Sequence, residues 1–305
     1  MSKILYYIFL IFNGVAFTAN SFAQTTTDTD LVNRKLLGGV IVAESAVALT
    51  SLGALSVSWY ADYPRSSFHF FNDNKEWLQM DKLGHATSAY FISRTTFNLL
   101  RWPGVSSKKT AWYGGATGFG YLAMVELLDG FSAEWGFSPG DFAANTIGSV
   151  AFTGQQLAWN EQRILLKWSY HETRYPHYRP NVLGSNLPER MLKDYNGQTY
   201  WLSVNVHSFL QDDSKFPKWL NVSLGYSADG MLGGNSNPTE IYGNTLSSFE
   251  RTRQYFLSLD LDLTRIKTRS KALNAIFNII GVLKMPFPAI EYNSQNEWIL
   301  HGLYF

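Results

Sequence analysis

The sequence predicts an α+β protein: an amino-terminal four-helix, membrane-like bundle followed by a small antiparallel sheet of about four or five strands. Three observations predict it. Between residues 36 and 168, long segments combine apolar residues with many Gly, Ala and Ser, a composition that lets helices approach closely. After residue 198 the hydrophobic period changes from helical to two. The chain closes on "NEWILHGLYF", a strand-like run with an aromatic last residue, Phe305, as at the ends of outer-membrane barrel proteins.

Residues 1–23 have the order of a secretory signal peptide: Lys3, the apolar run Ile4–Phe17, then Ser21 and Ala23 at the −3 and −1 positions of a cleavage site. Cleavage would leave Gln24 first; an uncleaved anchor is the alternative. Residues 24–35 read as a polar tether. The stretch Leu36–Trp59 contains one ionisable residue, Glu44. At about 1.5 Å per residue it is long enough to cross a bilayer, although a central bundle helix has the same pattern. Further helices are expected over Lys82–Arg101, stopped by Trp102-Pro103-Gly104, over Thr110–Leu128, and from Pro139 to about Leu166. Arg94 and the polar run "QQLAWNEQR" make them amphipathic. The helical domain thus spans residues 36–168, and residues 169–198, polar and proline-containing, read as a connecting segment.

The β-rich region spans residues 199–305. In Tyr200–Phe209, Leu202, Val204 and Val206 share one face, and Trp201, Ser203, Asn205 and His207 the other. Trp219–Tyr226 alternates likewise. Tyr255–Thr264 sets Leu257, Leu259, Leu261 and Leu263 opposite Ser258, Asp260 and Asp262. Ser270–Leu283 reads as a short helix between strands. In the last strand, Trp298, Leu300 and Tyr304 are expected on one face and Ile299, Leu303 and Phe305 on the other. Both faces are apolar, which suits burial on one side and lipid or a partner on the other. A closed transmembrane barrel needs about eight strands, more than the pattern supplies.

Composition narrows the function. The 305 residues carry a formal charge of +1, so nothing in the charge balance points to nucleic acid. There is no cysteine, hence no disulfide framework, thiol chemistry or lipid-bearing cysteine. Aromatic residues make up 16%, and Trp and Tyr favour membrane interfaces. The mean hydropathy of −0.12 argues against a bundle of uniformly apolar spans.

The chemistry-bearing residues lie in the helical half. "DKLGHATSAYF" carries Asp81, Lys82 and His85; the segment from Gly114 to Val150 carries Glu126, Asp129, Ser138, Asp141, Asn145 and Gly148. The order D-K-x-x-H, a Gly-rich helix ending in Glu, then S-x-x-D-x-x-x-N-x-x-G resembles the YfiM-like family, a domain-of-unknown-function family of envelope lipoproteins. It is more distantly similar to VanZ-like membrane proteins. The likeness covers about residues 75–155. It implies a helical envelope protein without an established reaction; the chain as a whole is expected at the outer membrane or its periplasmic face. Lipid anchoring does not carry over, because the cysteine is absent.

Asp81 and His85 are four apart, as are Asp141 and Asn145, so each pair shares a helix face. Asp81, His85, Glu126 and Asp141 are therefore expected to meet where three helix ends converge. They are the candidate catalytic residues of an acid–base site on a lipid or cell-wall precursor, and a metal site is a further reading. The leading reading, to which the acid–base enzyme is the alternative, is a structural polar cluster in a non-enzymatic envelope protein, in which Asp81 is an N-cap and "SPGD" a capping box, with Asp141 reaching back to Ser138. Gly114, Gly115, Gly118 and Gly120 read as close-packing positions. No phosphate-loop pattern and no cofactor-binding motif is present, so no cofactor is expected. The expected partners are membrane lipid or another envelope protein.

Overall fold

The computed structural model describes residues 32–58, 64–211, 213–241, 244–245 and 249–305. The expected signal peptide and most of the expected tether lie outside these residues. Helix α1 runs Arg34–Ser58 and so takes Arg34 and Lys35 from the expected tether. Residues Arg34–Ser56 are long and apolar enough to cross a membrane, and few of them are buried. Where α1 meets the rest, Val40 packs on Leu99 and Leu100, and Thr96 donates a short hydrogen bond to Glu44.

Three further long helices follow: α2 (Met80–Arg101), α3 (Ser107–Asp129) and α4 (Pro139–Trp159). They pack at backbone distance. A Cβ on Gly114 or Gly118 would collide with α2 at Ser93, one on Gly115 with Thr153 of α4, and one on Gly148 with the Ala86 carbonyl. Gly120 faces open space and takes no part in this packing. Helix α4 stops at Trp159, short of the expected Leu166, because Asn160 adopts a left-handed C-cap (φ 53°). The following residues Ile164–Tyr170 form strand β1. The expected connecting segment holds two short helices, α5 (Pro180–Leu183) and α6 (Leu187–Lys193).

The remaining elements are β2 (Gln198–Asn205), β3 (Leu220–Asp229), a small hairpin of β4 (Glu240–Ile241) and β5 (Asn244–Thr245), β6 (Thr252–Leu261), α7 (Lys271–Ile280), β7 (Phe287–Asn293) and β8 (Trp298–Tyr304). The main sheet is six-stranded and antiparallel throughout, in the order β1-β2-β3-β6-β7-β8. The molecule is therefore α+β as expected, with β1 and β7 added to the strands legible in the pattern.

The sheet turns its polar face inward. Along β2, Trp201, Ser203 and Asn205 are buried while Leu202 is 45% exposed. Lys167 of β1, fully buried, forms an ion pair with the fully buried Asp260 of β6 (2.6 Å). These strands are three spacings apart, about 14 Å in a flat sheet at about 4.8 Å per strand. Tyr304 of β8 likewise reaches Thr199 of β2 (3.1 Å), four spacings away in the sheet order. The sheet is thus curled round its polar face, and its aliphatic face is convex. The helices have a mixed interior: Thr87, Ser93, Arg94, Thr110, Ser149 and Thr153 are buried beside Tyr90, Leu99 and Phe152, whereas Trp112, Ile147 and Val150 are exposed.

In the last strand the structure corrects the expected facing. A bulge between the pairs Phe287–Tyr304 and Ala289–His301 sets two residues of β8, Gly302 and Leu303, against one of β7, Pro288. Tyr304 is thereby turned inward onto Trp201 and Phe256, away from the face of Trp298 and Leu300.

Candidate functional site

The segment entering α2 is unusual. Trp77, Leu78 and Gln79 have φ of 48°, 51° and 67°, three successive non-glycine residues in the left-handed region. Each costs roughly 1–2 kcal/mol, so the surroundings must impose the conformation. Trp77 N donates to the Gly234 carbonyl (2.8 Å), Tyr226 Oη to the Leu78 carbonyl (2.5 Å), and Arg253 to Gln79 Oε1 (2.8 Å). Met80, fully buried, packs with Ala228 and Met231. The β2–β3 end of the sheet therefore sets where α2 begins.

The start of α2, the end of α3 and the start of α4 meet here. His85 Nδ1 donates to Asn145 Oδ1 (3.1 Å) and lies 3.5 Å from Glu126 Oε1. Its Nε2 is 3.9 Å from both Asp81 Oδ1 and Asp141 Oδ1. Lys82 Nζ bridges Asp141 (2.8 Å), Asp73 (2.7 Å) and Asp81 (3.4 Å). Tyr195, in the turn before β2, donates to Asp81 Oδ1 (2.5 Å). Asp81, Lys82, His85, Glu126, Ser138, Asp141 and Asn145 thus lie together, and Asp129 ends α3 beside them.

Two capping details differ from expectation. The N-cap of α2 is Gln79, not Asp81, which sits in the first turn and accepts from Tyr195 instead. At α4, Ser138 caps as expected, its Oγ accepting from Asp141 N (3.0 Å). The reciprocal bond comes from another helix: Ser138 N donates to Glu126 Oε2 (3.2 Å), while the Asp141 carboxyl faces Lys82.

Two members escaped the sequence reading. Asp73 accepts from Ser138 Oγ (2.6 Å) and pairs with Lys82. Asp73 and Tyr195 both lie in irregular segments, where no periodicity assigns a direction to a side chain. The "FNDN" turn around Asp73 was the available signal for that residue.

Four carboxyls, Asp73, Asp81, Glu126 and Asp141, face two cationic side chains. Burial pushes the Glu126 carboxyl up to about 7, against the pull of His85. Burial, with the charges of Asp81 and the bond to Asp73, pushes Asp141 up to about 8. For Asp73 burial acts the other way from its hydrogen bonds, and the bonds from Asp141, Lys82 and Ser138 hold it below its ordinary value. Asp73 and Asp141 are therefore shifted in opposite directions, Asp73 toward the ionised and Asp141 toward the protonated form. For His85, burial opposes the charged form, but Asp81, Asp141 and Glu126 outweigh it and raise the imidazole. The shifts of Glu126, Asp141 and His85 all favour proton binding by the cluster, and those of Asp73 and Asp81 oppose it.

Glu126 Oε1 and Asn145 Nδ2 are buried without a hydrogen-bond partner. Asp81, His85 and Asp141 each offer one ligand atom, all within 4.8 Å of one another. A small cation could be held there, in competition with the Lys82 ammonium already at Asp141. A raised carboxyl beside an imidazole could equally pass a proton.

Residues 69–154 match a protein family described as "Predicted periplasmic lipoprotein (DUF2279)". Neither a curated protein nor a solved structure matches the chain. The matched segment contains every member of the cluster except Tyr195 and supports an uncharacterised envelope-protein domain on the periplasmic side. The six-stranded sheet lies beyond it.

Proposed function

We propose that the chain is a non-enzymatic, YfiM-like structural or assembly component of the cell envelope, held at the outer membrane or its periplasmic face. In this reading the polar cluster is a joint that fixes the ends of α2, α3 and α4 against the sheet. The observation that carries it is the way the cluster's side chains bind one another and the neighbouring elements. Lys82 ties α2 to α4 and to the Asp73 loop, while the Tyr195–Asp81 bond ties α2 to the segment entering β2. The test compares thermal unfolding and an envelope phenotype for His85→Ala and Asp141→Asn in the full chain. The joint reading expects stability and phenotype to fall together.

A second reading is favoured by one observation, the buried, unbonded Glu126 Oε1 at 3.5 Å from His85 Nδ1. It makes the site an acid–base centre acting on a lipid or cell-wall precursor. Loss of phenotype in both variants at wild-type stability would select it over the joint.

A further inference from the structure

We propose that the convex face of the six-stranded sheet lies against lipid, with a row of aromatic residues at the headgroup level. This deepens the membrane-associated reading and does not depend on the role of the polar cluster.

The register carries the inference. Trp168, Tyr200, Tyr226, Tyr255, Tyr292 and Trp298 are successive cross-strand partners, one from every strand of the sheet. Two residues along each strand, on the same face, the partners are Leu166, Leu202, Leu224, Leu257, Ile290 and Leu300, again one from every strand. The next row is Ile164, Val204, Val222 and Leu259. The opposite face carries Ser169, Thr199, Ser227, Gln254 and Asn293 behind the aromatic end, then the level of buried Lys167 and Glu291.

A soluble sheet would bury the leucines. Here Leu224 is 56% exposed and Leu300 77%, while an ammonium and a carboxylate are enclosed. Composition on the outer face changes with level along the strands and is constant across them. That gradation matches a slab with a polar boundary, where amphipathic rings settle at the boundary and aliphatic chains beyond it. A protein partner has no reason to sort residues by depth on all six strands, and the convexity of the face limits what a second copy could cover. From Leu257 to Leu261 the aliphatic part of the band runs about 14 Å at about 3.4 Å per residue, about the depth of one leaflet of a hydrocarbon core about 30 Å thick. Within the aromatic row Tyr255 and Trp298 are exposed, whereas Tyr200 and Tyr226 pack around Met80, so the lipid-facing part of the row lies toward β6–β8 and the start of α2 covers the rest.

The absence of cysteine makes the test direct. Single spin labels would be placed at Leu257→Cys and Leu300→Cys on the face, and at Gln295→Cys in the β7–β8 turn. The full chain would be reconstituted in phosphatidylethanolamine–phosphatidylglycerol vesicles. The ratio of collisions with oxygen to collisions with a water-soluble nickel complex should be several-fold higher at positions 257 and 300 than at 295. Equal ratios at the three positions would overturn the proposal, as would spin–spin broadening from a second copy on the face. Should a labelled chain not fold, Trp298→Phe offers an independent measurement. Quenching by lipids brominated near the headgroup should fall in that variant relative to the parent chain; unchanged quenching overturns the proposal. Labels that stay water-accessible in a chain recovered with the envelope would remove the lipid face and leave the joint reading standing. Oxygen-accessible labels in a chain whose His85 variant keeps full stability would do the reverse.

Discussion

Two buried polar clusters, one in the sheet and one among the helices, are built on opposite terms. In the sheet, Lys167 and Asp260 are paired one to one at 2.6 Å. Lys167 also donates to the Leu261 carbonyl, and Asp260 accepts from Ser203 Oγ and Met285 N. Among the helices, four carboxyls meet one lysine and one histidine, and a carboxylate oxygen is left without a hydrogen bond. A closed pair fixes geometry at any pH at which both partners stay charged. A cluster with surplus carboxyls holds protons, so its strength depends on pH.

The largest effect should come from breaking the closed pair. Lys167→Met leaves Asp260 as an uncompensated buried charge, and the expected loss is about 3–5 kcal/mol. Replacing both, Lys167→Met with Asp260→Leu, should recover most of it, since neither charge then needs a partner. Unfolding of the two variants in the same detergent checks this. A double variant as weak as the single one would mean that the pair does more than neutralise itself.

The helical cluster should instead show a pH slope. Glu126 is held at about 7 in the fold against an ordinary 4.5, so the folded chain binds more protons than the unfolded one between those values. Stability from Glu126 is therefore greatest below about pH 4.5, falls as pH rises toward 7 and is level above. The raised Asp141 and His85 act in the same direction, and Asp141 extends the fall to about pH 8. The lowered Asp73 and Asp81 act oppositely, losing stability as pH falls below their ordinary 3.8. The slope should amount to no more than about 1.4 kcal/mol per pH unit for each group. Glu126→Gln should flatten the part between pH 5 and 7; an unchanged slope in that variant would assign it elsewhere.

His85→Ala removes the centre of the same cluster and should cost about 1–3 kcal/mol, the range for leaving buried polar partners unpaired. Asp141→Asn should cost less, because the amide oxygen can still accept from Lys82 and the cap uses only the backbone of residue 141. Equal losses in the two variants would contradict this account of Asp141.

The same contrast separates what the sequence made legible from what it hid. Asp81, His85, Glu126, Asp141 and Asn145 sit on long helices, and helical spacing says which way their side chains point. Asp73 and Tyr195 sit in turns, where spacing says nothing. In the sheet, alternation separates leucines from Ser and Asp but is symmetrical, so it cannot say which face is enclosed. Burial of Lys167 and exposure of Leu300 decide that, and they are properties of the curl. β1 was hidden because the polar run Asn160–Arg163 reads as the polar end of the same helix, whereas the left-handed Asn160 ends the helix and frees "ILL" to start a strand. The bulge that turns Tyr304 inward depends on its pairing with β7, which lies outside the strand's own pattern.

The smallest effect compares one kind of cap in the two halves. Ser138 caps α4 inside the cluster: its Oγ accepts from Asp141 N and donates to Asp73, and the residue is 2% exposed. Ser270 caps α7 on the surface, accepting from Leu273 N at 3.3 Å. Removing an N-cap costs about 0.5–2 kcal/mol. Water can replace the hydroxyl at Ser270, so Ser270→Ala should lie near the lower figure. At Ser138 the loss frees both a helix amide and the Asp73 carboxylate in a buried place, so Ser138→Ala should lie near the upper one. Ser138→Thr keeps the hydroxyl and should restore most of the loss if the cluster admits one methyl group. At roughly 2–4 °C per kcal/mol for a chain near this size, the two alanine variants should be separable by their unfolding temperatures. Equal shifts would mean that the buried cluster adds nothing to the cap, and the joint would then rest on Lys82 and Tyr195 alone.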